Sequence, residues 1–121
     1  MSGVCKLSAR SQSWTYTPVW AGATAAAAAA SKADTVILSV GTSSAEGNDR
    51  PDLGLGAEQD ALVAAVVAAK PQRVVVVVRA SGAVSMPWAG GPVLSTILLQ
   101  LMPGQAAGTA LAEIVFSASE P

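Results

Sequence analysis

The apolar positions of this chain fall into runs of two kinds. Residues 35–41 (TVILSVG) and 73–79 (RVVVVVR) are short, nearly continuous and β-branched. Such runs suit strands buried on both faces. A third apolar run covers 93–101. Elsewhere the apolar positions repeat at helical spacing. Leu62, Ala65, Val66 and Ala69 stand at i, i+3, i+4 and i+7 and predict a helix over 57–70. Glu58 and Asp60 lie in its first turn, Lys70 lies in its last, and Pro71 ends it. Ala107, Ala110, Leu111 and Ile114 mark a final helix near 105–116. Residues 21–33 are almost all alanine, the strongest helix former. They read as a helix packed through small side chains, with low-complexity disorder as the alternative. Residues 14–20 hold β-formers broken by Pro18, and residues 1–13 read as a disordered leader. A weak organelle-targeting peptide is the other reading of that leader.

Helices alternating with fully apolar strands imply an α/β fold, a parallel sheet covered on both faces. In such sheets ligands bind beyond the carboxyl ends of the strands. The polar segment 42–56 leaves the carboxyl end of the first strong strand and contains Gly47, Gly54, Gly56 and Pro51. A loop of that length in a compact domain is often functional.

Composition narrows the chemistry. The 121 residues carry seven Lys/Arg against eight Asp/Glu, a net charge of −1, so there is no basic footprint for nucleic acid. No histidine and one cysteine, Cys5, exclude a Cys/His zinc site, an internal disulfide and a Ser-His-Asp triad. No metal or cofactor is expected. No run reaches the roughly 18 apolar residues of a membrane span. Alanine supplies 25 residues and valine 15, so the core is built from small side chains. The acids and bases left at neutral pH are four Asp and four Glu.

Three of those eight acids, with one of the four arginines, sit between Ser43 and Asp52. Glu46 precedes Gly47, which allows close approach of a ligand or another backbone. Asp49 and Arg50 together suit a loop anchor, since charge-assisted bonds hold irregular backbone. The plainer reading is a solvated loop of ordinary turn residues. The glycines of 41–56 do not form a phosphate loop, because neither Gly-Lys-Ser/Thr nor the G-x-G-x-x-G spacing is present. Cys5 has no local partner, and Ser81 has no histidine base. Trp88 suits either a core plug or a platform for a sugar ring.

The order of these pieces resembles the C-terminal α/β domain of glycoside hydrolase family 3, the β-glucosidase and β-xylosidase family. The resemblance runs from Trp14 to Glu120. Tyr16-Thr17-Pro18 and 32–41 (KADTVILSVG) resemble the family's early turn, helix end and buried strand. Glu46-Gly47-Asn48-Asp49-Arg50 resembles its E-G-x-D-R loop, and 53–63 (LGLGAEQDALV) its following L-x-L-P-G-x-Q-x-x-L-V segment. Met86-Pro87-Trp88 and Pro103-Gly104-Gln105 resemble two further signatures. Gly56 follows Leu55 without the usual proline between them, and Ala106-Ala107 replace an acidic-glycine pair.

The resemblance implies a three-layer α/β/α sandwich with a mainly parallel sheet, present in part over 14–121. It implies Glu46 as catalytic acid/base, acting on β-linked glucosides or xylosides. The family's nucleophile is an aspartate on a separate N-terminal (β/α)8 barrel, which is expected as the missing partner of a gene fragment. Alternatives are a non-catalytic carbohydrate-binding or interaction remnant of the same fold, and a small nucleotide- or phosphate-binding α/β domain.

Overall fold

The computed structural model describes residues 3–8, 13–18, 21–92 and 94–116. Along them run β1 (Gly3–Ser8), β2 (Ser13–Pro18), α1 (Gly22–Ala30), β3 (Thr35–Gly41), α2 (Ala57–Ala68), β4 (Arg73–Ala80), β5 (Leu94–Leu101) and α3 (Ala107–Phe116). A 3-10 turn, Gly104–Ala106, leads into α3. The strands form one sheet in the order β2-β1-β3-β4-β5. β3, β4 and β5 are parallel, and β1 is antiparallel to both β2 and β3.

Strand alternation divides the sheet into two faces. Val36, Leu38 and Val40 of β3 pair with Val74, Val76 and Val78 of β4, and all six are within 1% of complete burial. α1 and α2 pack over that face through Ala26, Ala30, Leu62, Val63 and Val66, and Leu55 closes one end. Alanine at i and i+4 of α1 lets its backbone come close to the sheet. The opposite face carries Ile37, Val75, Val77, Leu98 and Gln100. There Gln100 Nε2 donates to Ala107 O at 2.9 Å, which ties the start of α3 to the second face. The layers are therefore helix, sheet, helix, the α/β/α sandwich that the alternating pattern predicts.

The three parallel strands form where the apolar runs place them. The sheet gains two strands on its other side. Residues 3–8, expected within a disordered leader over 1–13, instead form β1, where Cys5 pairs with Tyr16 and Ile37. Six residues among Ser, Lys and Arg are too short a run to stand out by pattern alone. Backbone pairing on both edges is what selects the extended form. Residues 1–2 and 9–12 of that expected leader lie outside the described residues.

Helix ends also differ from expectation. α2 stops at Ala68 with Ala69 as its cap, and Lys70 adopts φ +52° rather than extending the last turn. A left-handed residue after the cap is a common way to end a helix, usually with glycine there. α1 stops at Ala30, where Ser31 Oγ donates to Ala28 O at 3.0 Å and competes for a helical carbonyl.

Candidate active site

The site grows from the carboxyl end of β3. Thr42 N donates to Arg79 O at 2.9 Å, so the chain leaves the sheet alongside the end of β4. A Cβ on Gly41 would overlap the Arg79 carbonyl, which is why glycine stands here. Gly41 N donates in turn to Gln59 Oε1 at 3.3 Å, linking the strand end to the first turn of α2.

Glu46 occupies the next turn. Asn48 N donates to Ala45 O at 3.0 Å, and Glu46 and Gly47 are the two central residues. Gly47 has φ +73°, as the third residue of a type II turn requires. The Glu46 side chain is exposed.

The loop then folds against the 81–92 connection. Arg50 Nη2 donates to Ala83 O at 2.7 Å. Ser44 Oγ and Ser81 Oγ lie 2.7 Å apart, and Ser85 N donates to Leu53 O at 2.7 Å. Asp52 turns inward on its own backbone, accepting from Gly54 N at 2.7 Å. Asp49 is exposed and, with Arg50, Ser44 and Ser81, borders a cleft of about 410 Å³. Glu46 is not among the residues lining that cleft. Glu46, Asp49 and Arg50 thus share one loop at the carboxyl end of the sheet, with Glu46 on its turn and Arg50 at its base.

Several of these partners carry no sequence signal. The Ala83 and Leu53 carbonyls are backbone groups, and Ser44 meets Ser81 only because β3 and β4 end together. Gln59, too, was not marked as a partner by the pattern, which drew attention to Glu58 and Asp60 in the first turn of α2. Trp88 fills a gap beside the core while its Nε1 donates to Asp60 Oδ1 at 2.9 Å. It therefore acts as a plug with a polar tether, joining the connection to α2.

Among the described residues no group of three or more Cys, Asp or Glu is placed to hold a metal ion. No helix among them is long and apolar enough to cross a membrane.

The profile of the glycosyl hydrolase family 3 C-terminal domain covers residues 6–121. The chain belongs to that family. It is 39% identical over 104 residues to a beta-glucosidase of Rhizobium radiobacter, covering 84% of this chain and 12% of the relative. It is 37% identical over 101 residues to beta-D-xylosidase 1 of Arabidopsis thaliana, covering 80% and 13%. A probable beta-glucosidase J of Aspergillus fumigatus is 37% identical over 95 residues, covering 76% and 11%. The chain thus spans about an eighth of the length of these curated relatives.

Proposed function

We propose that this chain supplies the acid/base carboxyl, Glu46, of a retaining β-glycosidase acting on β-linked glucosides or xylosides. The observation that carries the reading is the placement of Glu46. It is exposed on a glycine-assisted turn, at the carboxyl end of a parallel sheet, in a loop held at its base by Arg50. A general acid must reach the leaving oxygen of a sugar held by other residues, so a projecting carboxyl on a fixed loop suits the task. The names of the relatives, beta-glucosidase and beta-D-xylosidase, support the substrate class.

Retention needs a second carboxylate about 5–5.5 Å from the acid. In this reading it is an aspartate of a (β/α)8 barrel domain. The aspartate attacks the anomeric carbon while Glu46 gives its proton to the departing oxygen. Glu46, now a carboxylate, takes a proton from water as the water oxygen attacks the same carbon. The aspartate leaves, and the acid is restored. Leu53 and Met102, 57% and 77% exposed, lie at the same end as Glu46 and suit contact with a covering domain.

The test joins this chain to a family-matching barrel. Glu46→Ala should abolish turnover of substrates with poor leaving groups, and azide should restore it on substrates with good ones. Rescue with Asp49→Ala and not with Glu46→Ala would show that the role belongs to Asp49 and overturn the assignment to Glu46. An unchanged rate in both variants favours the non-catalytic remnant.

A further inference from the structure

We propose that Ser81 is a positioning residue for Glu46, acting through Ser44. The proposal rests on the reading of Glu46 as the acid/base carboxyl. Glu46 stands on the turn 45–48, whose own hydrogen bond, Asn48 N to Ala45 O, closes the turn without tying it to the fold. Each stem of the turn is tied separately. On the leading stem, Ser44 Oγ and Ser81 Oγ lie 2.7 Å apart. On the trailing stem, Arg50 Nη2 donates to Ala83 O at 2.7 Å. Among the described residues, these are the two hydrogen bonds that join 43–50 to another segment of the chain. Both end on residues 81–83, which follow β4 directly.

The strand behind Ser81 makes it a firm post. β4 lies between β3 and β5, Val76–Val78 are fully buried, and so is Ala80, the residue before Ser81. β3 and β4 are parallel with Gly41 opposite Arg79, so the two chains leave the sheet side by side and Ser44 meets Ser81. One hydroxyl gives its proton to the other, and no titratable group is needed. Ser81 has no histidine base in this sequence, so its hydroxyl is not set up as a nucleophile. Ser44 is two residues from Glu46 and Arg50 is four, which makes the serine pair the nearer tether. A turn held only at Arg50 can pivot about that stem. Proton transfer to a leaving oxygen needs a reach of about 2.6–3.2 Å, and a misplacement of about 1 Å can cost on the order of 100-fold in rate.

Two measurements test this. In the chain itself, NMR relaxation should give the amides of Gly47 and Asn48 order parameters of about 0.85, and Ser81→Ala should lower them below about 0.6. Ser44→Ala should do the same, and the double variant should add nothing. Ser81→Thr keeps the hydroxyl and should keep the order. In the chain joined to a family-matching barrel, kcat/KM reports the step in which the leaving oxygen is protonated. Ser81→Ala should lower it about 10-fold on an alkyl glucoside, whose alcohol is a poor leaving group, and less than about twofold on a dinitrophenyl glucoside, whose phenolate departs unprotonated. Ser81→Thr should restore the alkyl glucoside value, and a purely structural loss would lower both substrates alike. The proposal is overturned by a turn that stays ordered in Ser81→Ala, by a turn already mobile in the unaltered chain, or by equal losses on the two substrates. It is overturned as well if Ser81→Ala loses neither while Glu46→Ala loses the alkyl glucoside selectively. A Glu46→Ala variant without that selectivity removes the acid reading instead, and the order parameters then decide whether Ser81 holds the Glu46 turn.

Discussion

Gly41 shows how little room a single position at a strand end can have. Its missing side chain lets the Arg79 carbonyl come close enough to accept from Thr42 N. Gly41→Ala forces β3 and β4 apart at the root of the loop and should destabilise the chain by about 2 kcal/mol or more, by analogy with overpacked cores. Urea denaturation measures it, and the same variant should disturb the Glu46 turn. Lys70 is the converse case. Its φ of +52° is unfavourable for a residue with a Cβ, and glycine accepts it without strain. Lys70→Gly should raise stability by roughly 0.5–1 kcal/mol, seen as a higher urea midpoint with an unchanged slope. Neither feature was fully legible beforehand. Gly41 could be read as the end of a strand. Its reason, a neighbour 38 positions along the chain, depends on the strand register. Lys70 looked like a favourable charge inside the last helical turn, because composition does not reveal where the helix stops.

Among the elements, α2 was readable from apolar residues at helical spacing and β4 from its unbroken valine run. The valine run has no other plausible fate than a buried strand; of the expected helix face Leu62 and Val66 are buried and Ala65 and Ala69 half-buried, while Val63, outside that face, is fully buried. The loop 42–56 was legible as polar and glycine-containing, and Glu46, Asp49 and Arg50 as its candidate chemistry. What holds it was not. The hydrogen bonds from 81–92 involve residues whose types say nothing about pairing. The most specific link between elements is Trp88 to Asp60, an indole N–H on a carboxylate beside the core. A double-mutant cycle of Trp88→Phe and Asp60→Ala isolates it, because phenylalanine keeps most of the packing. The coupling energy should be about 1–2 kcal/mol, typical of a hydrogen bond to a charged group. Additive losses from the two single changes would mean that the ring alone matters.

For the molecule as a whole, the sheet's middle is far better covered than its β5 side. The alternating pattern showed a parallel α/β layer and did not show that burial concentrates on β3, β4 and α2. Periodicity reports which face an element hides, and not how much the rest of the molecule covers it. The largest fully buried side chains among the described residues, Val36, Leu38, Val40, Val63, Val66, Val74 and Val76–Val78, lie in those three elements, and α1 adds only the small Ala30. β5 and α3 contain no buried residue.

That uneven burial sets a hierarchy of opening. Amide groups exchange with solvent through whichever fluctuation exposes them at least cost, and segments with few buried contacts open first. β5 and α3 should exchange deuterium together and much faster than β4. They should do so at denaturant concentrations where β3, α2 and β4 still protect their amides. Mass spectrometry of peptic fragments resolves the two groups. Equal rates across 73–116 would mean that the parallel sheet opens only as one unit, and that its last strand is held by more than its contacts with β4.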